Sequence, residues 1–213
     1  MENYIGVLVS AIYIAIVVGC SKFVNKFGEE ASRKFVHIML ANVWFFYVLF
    51  INSMVFACVL PAIFVVVNYL SYKFKIIKSI EREENDGYGT VYYALSLLVL
   101  AIFSYNIGNP LVALPGILIM GYGDGFAAII GKKISSKKYR IGNTIKSFAG
   151  SFTMFLISFF ISIIILKILN AQFFLIKGLM ISVVATILEA ISIKGLDNIT
   201  VPIFVTILVF LAV

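Results

Sequence analysis

Eight apolar runs, near residues 4–21, 35–51, 54–72, 91–107, 111–131, 148–166, 172–191 and 199–213, take up most of this 213-residue chain. A bilayer core offers the backbone no water, so a crossing segment must bond its own N–H and C=O groups, as an α-helix does. About 20 mostly apolar residues make one crossing. The last run, at 15 residues, is expected to be tilted or partly interfacial. The expected fold is all-α: a polytopic membrane bundle of seven or eight transmembrane helices, one domain over residues 1–213. Composition excludes a soluble globule. The chain is 62% hydrophobic and 13% charged, with mean hydropathy +1.08, against about 45–50% and 25% in soluble domains.

The first run follows Glu2 rather than lysines, and no small-residue cleavage site comes after it, so it is expected to remain as a helix. Cys20 and Cys58 have no metal-ligand spacing and are expected to be small buried hydrophobes. Of the 17 Lys and Arg residues, 15 fall in segments 22–34, 73–82, 132–146 and at Lys194. With eight crossings these segments share one face, and the positive-inside rule makes it cytoplasmic. Nine of the ten Asp and Glu residues fall on that face too. Acids contribute little to orientation, so the acidic bias points to cytoplasmic chemistry in a multi-pass cell-membrane protein. The net charge of +7 needs no further cause, and no nucleic-acid motif is present.

The chemistry concentrates between Met120 and Ser151. Asp124 stands between Gly123 and Gly125 inside an apolar run, where a carboxylate costs about 2.5–3.5 kcal/mol to insert. The glycines permit close approach of a ligand, whereas a packing helix would pair Asp124 with a lysine of the next loop. That loop is basic, with Lys132, Lys133, Lys137, Lys138, Arg140 and Lys146. GFAAIIGKK fails as a P-loop: five residues separate its glycines, Lys133 replaces the Ser or Thr, and no strand precedes it. Lys146-Ser147 with Gly150-Ser151 opens the sixth run, where an ammonium and hydroxyls at a helix start suit phosphate.

Outside that stretch, Arg33 and His37 lie one helical turn apart. Arg33 and Lys34 alone read as a positive-inside anchor, and His37 as a bonded histidine or a phosphate contact. The segment 73–90 mixes charges, with Glu83 and Asp86 expected on a solvated face. Gly87-Tyr88-Gly89-Thr90 leads into a helix start able to hold an anion. Glu189 ends the seventh run, and Asp197-Asn198 adds hard oxygen ligands suited to Mg²⁺, or caps the last helix.

Taken in order, these pieces resemble the membrane kinases that include dolichol kinase, phytol kinase and the CTP-using diacylglycerol kinase. The matching residues are Arg33-Lys34-x-x-His37, Gly89-Thr90, Gly123-Asp124-x-x-Ala127-x-x-x-Gly131-Lys132, Lys146-Ser147-x-x-Gly150-Ser151, Glu189 and Asp197-Asn198-x-x-x-Pro202. The resemblance implies a lipid kinase that moves the γ-phosphate of a nucleotide triphosphate, commonly CTP, onto a lipid alcohol. It implies that Asp124, Asp197 and Asn198 hold Mg²⁺ and that Lys146, Arg33 and Lys132 neutralise phosphate. His37, Gly123, Gly125, Ser147, Gly150 and Ser151 would complete the nucleotide site. Either Asp124 or Glu189 would take the hydroxyl proton. Ala149 stands where many members carry Glu, which leaves the acceptor open among polyprenol, phytol-like isoprenoid and diacylglycerol.

Two other classes compete. A lipid cytidylyltransferase would use similar Gly-Asp and Lys-Ser elements, but would release pyrophosphate and a CDP-lipid. A transporter would carry Asp124 at a broken helix, but tends to have inverted halves, and the chain has no second GYGDG-like interruption.

Overall fold

A computed structural model describes residues 1–74, 88–142 and 144–213. The expectations for Glu83, Asp86 and Gly87 lie outside the described residues. Among the described residues the chain crosses the bundle eight times. Helix α1 spans Glu2–Val24, and the second crossing is α2 (Glu29–Ala41) with α3 (Val43–Phe50). Then come α4 (Met54–Phe74) and α5 (Gly89–Asn106). The fifth crossing joins α6 (Leu114–Leu118), a π-helical turn (Ile119–Asp124) and α7 (Gly125–Lys133). The strands β1 (Lys138–Ile141) and β2 (Thr144–Ser147) precede α8 (Phe148–Ile168), α9 (Phe174–Ile191) and α10 (Asp197–Ala212). Seven of the crossings are long and apolar enough to span a membrane.

Two crossings that read as continuous runs are interrupted. The second breaks at Asn42, and side chains bond the groups around the break. Tyr13 Oη donates to the Met39 carbonyl at 3.0 Å, Asn42 Nδ2 donates to Tyr13 Oη at 3.3 Å, and Tyr122 Oη donates to Asn42 Oδ1 at 2.8 Å. The fifth widens into the π-helical turn that ends at Asp124, the kind of interruption frequent at functional sites. Both breaks are tolerable at this depth because neighbouring side chains re-bond the backbone.

α10, the run expected to be tilted or partly interfacial, is the one short apolar helix outside the seven spanning ones among the described residues. Its 16 residues give about 24 Å of rise. Yet Val201, Val205 and Val209 are buried, and it packs on α5, α6 and α9. Gly116 admits it closely: a Cβ there would meet the Pro202 carbonyl and would lie 2.5 Å from Thr206 Oγ1. Lys177 Nζ donates to the Ala212 carbonyl at 2.6 Å and satisfies its last turn. The β-hairpin is the one departure from an all-α plan among the described residues. Cys20, expected to be buried, is exposed, and Cys58 is half-buried. An apolar lipid phase accepts an exposed small hydrophobe as readily as a core does.

Candidate active site

The site lies at the end of the bundle where α2, α5, α8 and α10 begin and α7 and α9 end. The charged groups come from α2 (Lys34), the end of the π-helical turn (Asp124), β2 (Lys146), the end of α9 (Glu189) and the start of α10 (Asp197), where a long side chain reaches water while its helix stays in lipid. Lys34, in the second turn of α2, is 6% exposed, and its Nζ donates to Asp124 Oδ2 at 2.6 Å. It is the answer to the carboxylate at the end of the π-helical turn. The anchor reading of Lys34 is therefore corrected. At i, i+3 from His37 it shares that residue's face, which is the sequence signal that could have found it.

His37 Nε2 lies 3.1 Å from the Met120 carbonyl and 3.4 Å from Asp124 Oδ2, so it braces the π-helical turn as well as the carboxylate. Its own carbonyl accepts from Tyr93 Oη at 3.2 Å. Across the site, Lys146 at the end of β2 donates to Glu189 Oε1 at 2.6 Å and also to the Glu189 carbonyl. The hairpin is the device that delivers this lysine, since Lys146 pairs in register with Tyr139. Ser147 caps α8, accepting from Gly150 N at 3.1 Å, and Ser151 Oγ lies 2.6 Å from Tyr139 Oη.

Asp124, Glu189 and Asp197 come together, with one carboxylate oxygen from each within 4.8 Å of the others. Oxygen ligands about 2 Å from Mg²⁺ lie at most about 4 Å apart, so a shift of side-chain size would let all three bind one ion. The donor set is hard oxygen throughout, and it fits a divalent cation. Asn198, expected beside Asp197 as a ligand, donates from Nδ2 to the Gly89 carbonyl at 2.9 Å, and its buried Oδ1 has no hydrogen-bond partner among the described residues. Glu189 joins Asp124 and Asp197 in the carboxylate set.

Two cavities meet here. Among the described residues a polar basin has six cations on its walls, Arg33, Lys34, Lys132, Lys138, Lys146 and Lys194, against the carboxylates Glu30, Asp124, Glu189 and Asp197. Ser147, Gly150 and Ser151 line it as well. Lys132 reaches over to Glu30 as an exposed ion pair. An apolar groove runs off from the same point between α1, α2, α4 and α5, and Arg33, Lys34 and Asp124 belong to both cavities. His37 and Thr90 line the groove and not the basin.

Gly123 and Gly125, expected against phosphate, sit at helix crossings instead. A Cβ on Gly123 would lie 2.5 Å from Met154 Sδ, and one on Gly125 would strike the Ile38 side chain. The smallness of Gly125 lets α2 close beside Asp124, while Gly123 faces the flexible end of Met154 on α8.

Comparison with known proteins finds phytol kinases among the relatives. The phytol kinase of Synechocystis sp. is 32% identical over 209 residues, covering 93% of this chain and 88% of the relative. The chain belongs to the phytol kinase family. Phytol kinase 1, chloroplastic, of Arabidopsis thaliana is 34% identical, covering 84% of this chain and 65% of the relative. The probable chloroplastic phytol kinase of Triticum aestivum is 30% identical over 207 residues. No family model matches the chain, and no solved structure matches it. In this phytol kinase family member the residues that carried the resemblance in sequence, from Arg33 to Asn198, converge at one end of the bundle.

Proposed function

We propose that this protein is a membrane lipid kinase that transfers the γ-phosphate of a nucleotide triphosphate, CTP by preference, to the hydroxyl of a long-chain lipid alcohol. The observation that carries the reading is the meeting of a cation-lined basin and an apolar groove at Asp124. A phosphate donor and an apolar acceptor need two such compartments with one shared point. Kinase names among the relatives support the same reading.

Phosphoryl transfer is mostly positioning and neutralisation of charge. Mg²⁺, held by Asp124, Glu189 and Asp197, would neutralise the donor's phosphates. Lys146 and Lys34 stand beside the carboxylates and can turn to phosphate oxygens as charge there grows. Arg33, Lys132, Lys138 and Lys194 hold the donor's outer charges. Asp124 lies in both compartments and Glu189 in the basin alone, so Asp124 is the carboxylate that takes the acceptor's proton. The acceptor oxygen bonds to the γ-phosphorus as the bond to the nucleoside diphosphate breaks. The basin faces the cytoplasm, in keeping with the basic residues around it.

The test is a product assay on purified protein with CTP, ATP, GTP and UTP against phytol, polyprenols and diacylglycerol. The expected products are CDP and a lipid monophosphate, dependent on Mg²⁺. Pyrophosphate with a CDP-lipid would instead identify a cytidylyltransferase.

A further inference from the structure

The groove that leaves Asp124 has a direction. In all four crossings its lining residues descend from the charged end into the bundle: Val18 to Ile14 on α1, His37 to Val43 and Tyr47 along α2 and α3, Asn68 to Leu60 on α4, and Thr90 to Leu97 on α5. At the top, Arg33, His37, Asn68 and Thr90 are polar and half-exposed. Asn68 Nδ2 donates to the Thr90 carbonyl at 3.0 Å and ties the α4 and α5 walls together. At the bottom, Ile14, Val43, Tyr47 and Leu60 are all buried. The groove is therefore closed at depth.

Its floor is also stiff. Tyr47 is 1% exposed, its ring packs on Trp44 at 5.1 Å, and its carbonyl accepts from Tyr105 Oη at 3.0 Å. Trp44 Nε1 donates to the Pro110 carbonyl at 2.9 Å. Tyr47 lies ten residues beyond His37, about 15 Å along a helical path.

We propose that the groove holds the hydrocarbon chain of the acceptor as a single tail, end-stopped by Tyr47, so that Tyr47 at the floor and Ala94 midway set the chain length accepted. The proposal rests on the lipid-kinase reading and deepens it. The occupant follows from continuity: a chain lying in the groove presents its hydroxyl at Asp124, Lys34 and His37, where the phosphate basin opens. Ala94 is buried and lines the groove one turn below Thr90, so a larger side chain there fills the channel above the floor.

The experiment measures kcat/KM with CTP for geraniol, farnesol and geranylgeraniol in wild type, Ala94→Leu and Tyr47→Ala. A methylene gained or lost in an apolar pocket shifts discrimination by about tenfold or more. Ala94→Leu should lower the geranylgeraniol-to-geraniol ratio by at least about tenfold, and Tyr47→Ala should raise it by a similar factor. Opposite shifts in a ratio do not arise from general loss of folding. Unchanged ratios in both variants, with wild type active, overturn the end-stopped groove and leave the kinase reading intact. Wild type inactive on every alcohol, including phytol and polyprenols, overturns both.

Discussion

At the scale of single residues, the site holds its charges as two buried ion pairs, Lys34–Asp124 and Lys146–Glu189. A buried pair that loses one member leaves a desolvated charge, typically at about 3–5 kcal/mol. Lys34→Met should therefore lower the Tm in detergent markedly. Lys132→Met should leave the Tm nearly unchanged, because its pair with Glu30 is exposed and screened. Activity separates the chemical roles from these structural ones. Asp124→Asn keeps the shape but removes the proton acceptor and a metal ligand, so turnover should fall beyond detection while folded protein is still recovered. Lys146→Ala should cost about 10²-fold or more, as the loss of one preorganised donor does. Lys146→Arg should recover little of it, because a planar guanidinium does not replace a compact ammonium. If Lys146 were only an anchor at the membrane surface, the arginine variant would match wild type in the same kinetic assay.

At the scale of elements, α7 and α8 cross so closely that glycines are required, and the neighbouring atoms decide which ones tolerate a methyl group. A Cβ on Gly150 would lie 2.8 Å from the Ala127 carbonyl, a backbone atom that cannot yield without moving α7. Gly150→Ala should cost about 1–3 kcal/mol, as overpacking does, and should reduce turnover by shifting the Lys146-Ser147 junction. A Cβ on Gly123 would press on the flexible end of Met154 and touch Ile119 at an ordinary 3.6 Å, and alanine favours a helix. Gly123→Ala should be close to silent in a thermal unfolding comparison of the two variants. The two glycines look alike in the sequence. What distinguishes them is the neighbour each faces, and that neighbour comes from another part of the chain.

At the scale of the whole molecule, eight crossings place both termini at the end away from the basin, with Lys167 and Lys177. Orientation can be read by labelling single cysteines in a variant that lacks Cys20 and Cys58. An impermeant maleimide added to intact cells should modify Gln172→Cys, and should reach Ser135→Cys only after the membrane is opened. The reverse pattern would turn the basin outward and remove it from cellular nucleotide.

The sequence by itself determined the helical membrane bundle, a count of seven or eight crossings and the gathering of charge at one end. Each of these depends on local physics: an apolar run bonds its own backbone in lipid, and alternate loops of a crossing chain share a face. It also marked Asp124, because a carboxylate at membrane depth is costly and needs a reason, and Lys146, Glu189 and Asp197 as polar groups gathered at helix ends. Only the tertiary structure decided partners. Lys34 meets Asp124 across 90 positions, and Lys146 meets Glu189 across 43. The breaks at Asn42 and at the π-helical turn were hidden inside apolar runs, because the side chains that satisfy them come from other helices. The same holds for the groove. Its walls are ordinary apolar residues of four helices, and they become a channel beside the carboxylate only when those helices pack.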